Sequence, residues 1–221
     1  MKMKQSFDTL IFDLDGTLID SAADVHFSVN CALKEMGSPP VSREEIRRAI
    51  GPGQDGFLKV IFPDGNKADV HQFIPIFRKY YWDHCLDQTV LFPGIQPLLS
   101  TLMDIQFAIA SNKPKAFIER ITAGLNILDR FRCVVGPEDV EHVKPDPEMV
   151  IKVLELCGCA ADRALLIGDT NRDIMAGRAA GVRVCGVKYG YGDIHEIENQ
   201  KPDFLIDHAE ELLDIVGNHR K

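Results

Sequence analysis

The chain has 221 residues, 45% of them hydrophobic and 26% charged, with a formal net charge of −8. That length suits one large domain or one domain carrying a smaller insert, and the acidic balance, with Lys and Arg scattered, speaks against a nucleic-acid surface. No apolar run is long enough to span a bilayer, no signal-like core follows the N-terminal lysines, and six cysteines without metal or disulfide spacing point to a reduced, cytoplasmic protein.

The first apolar run predicts a strand over 9–12 that ends in "DLDGTLID". Strand residues alternate faces, so Asp13 and Asp15 point the same way where the strand stops. Like charges side by side repel, so such a pair needs a chemical reason. From about residue 20 to residue 91 helical patterns run without convincing strands. "SAAD" at 21–24 and "SREE" at 42–45 both carry capping-box spacing, with Gly37 and Gly51 placed to end the helices that follow. "HQFIPIFRKYYWDHCL" predicts a further helix with Pro75 near its start, its aromatics expected to form a core rather than a platform for bases. The stretch reads as an all-helical insert, tethered by flexible joints near 16–20 and 86–94.

Beyond the insert, short apolar runs at 107–110, 133–135, 164–167, 182–187 and 203–206 alternate with helical patterns, the arrangement of a parallel sheet with crossover helices. In "KPDPEMVIKVLELCG", Asp146 suits the N-cap, Pro147 the first helical position and Gly158 the stop. Met149, Val150, Val153, Leu154 and Cys157 form its apolar stripe.

Polar clusters recur where strands end. Ser111 and Asn112 follow the second run, Lys144 precedes a helix, Asp169 ends the "ALLIG" run, and Asp173 follows four residues later on the same helical face. Ligands of open parallel sheets bind outside the carboxyl ends of the strands, so these residues should meet Asp13 and Asp15 in one crevice. Four neighbouring carboxylates resist ionisation unless a cation neutralises them, and hard oxygen donors without His or Cys suit Mg²⁺. Such a site would receive a phosphoryl group.

"DLDGT" at 13–17, "SN" at 111–112, "KPDP" from Lys144 and "GDTNRD" at 168–173 resemble the four motifs of the haloacid dehalogenase-like superfamily, and the paired aspartates resemble its phosphatase and phosphomutase branch. The resemblance implies a Rossmann-like α/β core formed by residues 1–19 and 92–221, with a helical cap at 20–91. It implies Asp13 as the nucleophile that becomes an aspartyl-phosphate, Asp15 as general acid and base, and Thr17 as the residue that orients Asp15. Ser111 and Asn112 would hold phosphoryl oxygens, and Lys144 would offset negative charge. Mg²⁺ would be held by Asp13, the Asp15 carbonyl and Asp169, with Asp173 supporting the metal site.

"IGPG", "FPGI" and "GVKYGYGD" further resemble phosphoglycolate phosphatases, which implies a small phosphorylated metabolite as substrate, with neither nucleic acid nor membrane as partner, and a monomer or weak homodimer. The three-glycine loop "GPGQDG" at 51–56 would then bring Arg48, Gln54 or Lys59 to the substrate's non-phosphate end, where a carboxylate favours a cation. A phosphomutase or inorganic pyrophosphatase of the same superfamily is the alternative, and a non-catalytic phospho-acceptor or interaction protein an alternative of another class.

Overall fold

The computed structural model describes residues 7–217 apart from Pro52 and Asn66, and leaves the side chains of residues 53–55, 67 and 68 undescribed. Strands β1 (Thr9–Phe12), β4 (Gln106–Ala110), β5 (Phe131–Val135), β6 (Ala164–Gly168), β7 (Arg183–Val187) and β8 (Phe204–Ile206) pair in parallel in the order β5-β4-β1-β6-β7-β8. Every residue of β1 and β6 is buried, as expected of strands covered on both faces and read as continuous apolar runs.

Side-chain alternation divides the core. Leu10 and Phe12 of β1 pack with α5 (Ile95–Thr101), α6 (Lys115–Gly124) and α10 (Glu211–Gly217) on one face. Ile11 packs with α7 (Glu148–Cys157), α8 (Asn171–Ala179) and α9 (Ile194–Asn199) on the other. In α7, Met149, Val150, Val153 and Cys157 are buried and Gly158 closes the helix at φ 61°, while Leu154 is half-buried. The helix starts one residue later than expected. Pro147 takes the cap position, and Asp146 instead accepts a bond from the Glu148 N–H at 3.0 Å.

Between β1 and β4 lie the helices α1 (Ala22–Glu35), α2 (Arg43–Ala49), α3 (Gly53–Ile61) and α4 (Lys67–His84). Ser42 and Glu45 form the expected capping box. Ser21 and Asp24 do not: Ser21 caps nothing with its side chain, and Asp24 instead accepts bonds from Gln88 and Thr89. The joints also differ from expectation. Ile19–Asp20 (β2) pairs antiparallel with Val90–Leu91 (β3), and Phe92 N donates to Leu18 O at 3.0 Å, so the chain enters and leaves the helical segment as a hydrogen-bonded ribbon. Pro75 falls inside α4 rather than near its start. An interior proline costs about 3 kcal/mol; burial of Phe73 and Tyr81 on either side of it offsets that cost. No helix among the described residues is long and apolar enough to cross a membrane.

Candidate active site

The sheet reverses its winding at β1, and the polar residues gather at that strand's carboxyl end. Asp13 follows Phe12 directly, its N–H donating to Ile167 O at 2.9 Å. Carboxylate oxygens of Asp13, Asp169 and Asp173 lie within 4.8 Å of one another, all three residues buried. Lys144, 2% exposed, places Nζ 3.0 Å from Asp13 Oδ1 and 2.6 Å from Asp173 Oδ1. Burial, with repulsion from Asp173 and Asp15 added and attraction to Lys144 opposing it, raises the Asp13 carboxyl to about 6. Burial and repulsion from Asp13 and Asp173 raise Asp169 to about 8. Three crowded carboxylates outnumber the one ammonium among them, and their donors are all hard oxygens. This cluster fits a divalent cation.

Asp169 is not on the helix with Asp173, as the spacing had suggested. It stands just after β6, and Asp173 is the third residue of α8, where its Oδ2 accepts from Thr170 N at 3.1 Å and Thr170 Oγ1 at 2.6 Å. Asp169 Oδ2 accepts from Tyr191 N at 2.7 Å and Gly192 N at 3.3 Å. Gly16, at φ +82°, lies so close that an added Cβ would meet that oxygen at 2.1 Å. A glycine is required there both for its conformation and for its close approach.

Thr17 orients a different partner from the one expected. Its hydroxyl faces Asp169 Oδ1 at 3.4 Å rather than Asp15. Asp15 is held instead by Lys113, whose Nζ lies 3.0 and 2.9 Å from its two oxygens, and by the Ser21 hydroxyl, which donates to Oδ1. Asn112 is also committed elsewhere than to an open oxygen site. Its amide donates to Lys144 O at 3.0 Å and Gly51 O at 3.2 Å, and its Oδ1 accepts from Lys144 N at 3.0 Å, so it braces the loop that presents Lys144. Ser111 is buried beside the acids, and its hydroxyl accepts from Lys113 N at 3.4 Å.

Over these residues lies a cleft of about 840 Å³, counting its solvent-open mouth. Asp13, Asp15, Ser111, Asn112 and Lys113 form its floor, and residues of α1–α4 with Phe117 form its walls. Two of the expected substrate-reading residues are not part of it. Arg48 pairs with Glu44 at 3.3 Å on the outer surface, with both side chains about two-thirds exposed (69% and 67%), and Lys59 is exposed outside the lining. Gln54 lies outside the described side chains.

Three residues were not singled out from the sequence. Lys113 directly follows the "SN" pair, and that adjacency was its only signal. Ser21 was assigned to a cap. Tyr191, from "GVKYGYGD", accepts at its hydroxyl from Ser21 N at 2.7 Å and Ala22 N at 3.1 Å, and donates to Asp20 Oδ1 at 2.7 Å, so it links the loop that holds Asp169 to the start of α1.

Comparison with known proteins agrees with this geometry. A phosphoglycolate phosphatase of Pseudomonas putida is 32% identical over 92% of this chain and 78% of its own length. An N-acetylmuramic acid 6-phosphate phosphatase of Pseudomonas aeruginosa is likewise 32% identical, over 94% of this chain and 93% of its own. Among solved structures, a predicted phosphoglycolate phosphatase from Haemophilus somnus superposes with a TM-score of 0.89 at 28% identity, covering 95% of this chain and 97% of that one. The model of the haloacid dehalogenase-like hydrolases matches residues 10–187, and the chain belongs to that family as a phosphatase with a Rossmann-like α/β core.

Proposed function

We propose that this phosphatase hydrolyses small organic phosphomonoesters through an aspartyl-phosphate on Asp13, with Mg²⁺ as its metal. One observation carries the reading: Asp13 stands at the end of the central strand beneath an open cleft, 3.0 Å from Lys144 and within 4.8 Å of the Asp169 and Asp173 carboxylates. The Asp13 carboxylate attacks phosphorus from the cleft floor, and the bond from phosphorus to the leaving oxygen breaks. Asp15 gives that oxygen a proton, then takes one from the water that opens the acyl-phosphate, which returns both carboxylates to their starting states. Ser111 and Lys113 face the phosphoryl oxygens across the cleft, and Lys144 balances the charge of Asp13 and Asp173.

Asp13, Asp169 and the Asp15 carbonyl would hold the ion, and Asp173 would act chiefly by fixing Lys144. When bound, Mg²⁺ supplies positive charge against the phosphoryl oxygens. Residues 20–91 serve as a cap over a core made of 1–19 and 92–221. The relatives act on two unlike leaving groups at the same identity, phosphoglycolate's and N-acetylmuramic acid 6-phosphate's, as their names state, so they support phosphomonoester hydrolysis without choosing the alcohol. Phosphate release from phosphoglycolate, sugar phosphates, nucleotides and pyrophosphate, with Mg²⁺ and after its removal by chelation, tests the proposal. Metal-dependent release from at least one monoester is expected. Metal-independent release, or release from pyrophosphate alone, would overturn it.

A further inference from the structure

The phosphoryl site is polar, but the cleft above it is not. Phe73, Phe77 and Tyr81 stand four residues apart on one face of α4 and stack in succession, with ring centroids 5.5 Å apart at each step and planes within 4° and 9° of parallel. Phe57 packs against Phe77 at 5.3 Å and Phe117 against Tyr81 at 5.0 Å, which extends the aromatic surface around the cleft. Val25, Ile50, Leu58 and Ile74 complete the walls. Among the described lining residues the cations are Lys113, 2.9 Å from Asp15, and Arg78, exposed on the wall.

A two-carbon hydroxy acid esterified to phosphate would place its carboxylate within a few ångströms of the phosphoryl group. There it would meet Asp15, the Lys113 ammonium that Asp15 already holds, and apolar walls. Burying an ionised carboxylate without a dedicated partner is unfavourable, whereas apolar and ring faces gain from burial against such walls. Tyr81 stands behind this wall beside Lys113 and is 2% exposed, so it supports the cleft rather than offering its hydroxyl to a ligand.

We infer that the leaving group is an alcohol with a flat apolar body, read by the half-buried Phe57 and Phe77 of the cleft walls, rather than a short hydroxy acid. The inference rests on the phosphatase reading above and goes beyond it in naming the substrate class. It also accounts for the positions of Arg48 and Lys59, because a leaving group of this kind needs no cation at its far end.

The test is kcat/KM for phosphate release, with Mg²⁺, from phosphoglycolate, ethyl phosphate, benzyl phosphate and 2-naphthylmethyl phosphate. All four leaving groups are primary alcohols, so differences report the cleft more than the chemistry. A rise of about tenfold or more from ethyl to naphthylmethyl phosphate is expected, carried mainly by KM, with phosphoglycolate below benzyl phosphate. Phe77→Ala should lower kcat/KM for the two arylalkyl esters about tenfold more than for ethyl phosphate. Phe77→Leu, which keeps most of the volume, should lower it in the same order if the alanine variant does not fold. Highest kcat/KM on phosphoglycolate, or equal losses on all four esters, would overturn the inference while leaving the phosphatase reading intact. No release from any ester by the folded, Mg²⁺-supplied protein would overturn both.

Discussion

The Lys113 ammonium is clamped between the Asp15 carboxylate, at 2.9 and 3.0 Å, and the face of the Tyr81 ring, at 4.7 Å from its centroid. Attraction to Asp15 and contact with Tyr81 outweigh the cost of burial and hold the ammonium well above the usual lysine range, so it stays charged. The general acid of the proposed reaction is thus fixed by a cation that also faces the cleft. Lys113→Met should lower kcat by about 100-fold, the low end of what a positioned proton-transfer group contributes. Lys113→Arg should recover part of the loss. The Mg²⁺ concentration for half-maximal activity should barely move, because Lys113 pairs with Asp15, whereas Asp13 and Asp173 pair with Lys144. A large change in metal requirement would place Lys113 in the metal site instead.

Asp13→Asn removes the nucleophile. Turnover should fall at least about 10³-fold, as when a covalent catalyst loses its attacking group. Folding should survive. The amide loses the attraction of Lys144, but it escapes the burial penalty and the repulsion from Asp173 and Asp15 that raise this carboxyl. Thermal unfolding within a few degrees of the parent, together with loss of an acid-stable, base-labile phospho-enzyme on rapid quenching, is the expected pair of results. Near-normal turnover would exclude Asp13 as nucleophile.

The raised carboxyls make the metal-free protein sensitive to alkali. Burial and like charge push Asp13 up to about 6 and Asp169 up to about 8 in the folded chain, well above the range of a free aspartate. The folded state therefore binds these protons more tightly than the unfolded state. Their contribution is fully present below about pH 4 and is lost as pH rises through 6 and then 8. Urea unfolding in EDTA should show stability falling between pH 5 and 8.5 from this source, and Mg²⁺ should restore it most at the higher pH. Half-saturating Mg²⁺ should fall over the same range, since protons and metal compete for Asp169.

The six parallel strands were legible because each carries a short apolar run bounded by polar residues, unbroken in the central β1 and β6, which are buried on both faces. The two-residue strands β2 and β3 were not, since Ile19–Asp20 and Val90–Leu91 are too short to show any period and pair across some seventy residues of helix. Asp13, Asp15, Ser111 and Asp169 were legible as residues placed where strands stop, and Lys144 and Asp173 as polar residues near helix starts. Thr17 was misassigned because proximity in sequence favours Asp15, whereas the turn through Gly16 carries the threonine to Asp169. Arg48 and Lys59 lie outside the cleft lining for a tertiary reason: which face of a cap helix meets the core depends on docking, and Arg48 follows Glu44 by four residues on the solvent side.

Asp169 and Asp173 should differ in how their loss is felt. Asp169 faces the metal cluster with Tyr191 N and Gly192 N on its other oxygen, while Asp173 is bonded to Lys144 and Thr170. Asp169→Asn should raise the Mg²⁺ needed for half-maximal activity by about tenfold or more, in the range seen when groups of a metal site are removed. Asp173→Asn should mainly lower kcat, because Lys144 loses its 2.6 Å partner. Metal titrations of both variants check this order, and equal effects on half-saturation would make Asp173 a direct ligand.

The last prediction concerns how the cap is tied down. Asp24, in the first turn of α1 and 1% exposed, accepts from Gln88 N at 3.0 Å, Thr89 N at 2.8 Å and Thr89 Oγ1 at 2.7 Å. One carboxylate thereby satisfies three donors on the segment that returns to the core, next to the β2–β3 ribbon. Hydrogen bonds to a charged acceptor contribute about 1.5–3 kcal/mol each, and a buried donor left without one is costly. Asp24→Ala strands two main-chain N–H groups and should destabilise the protein by about 3 kcal/mol or more. Thr89→Val removes only the hydroxyl and should cost about 1 kcal/mol. Urea midpoints at unchanged slope would measure both. If Asp24 acts through the hinge alone, KM should rise in Asp24→Asn while the Mg²⁺ requirement stays put, since no part of this contact touches the metal cluster. An Asp24→Ala cost below about 0.5 kcal/mol, the range of ordinary surface changes, would show that the contact fastens nothing.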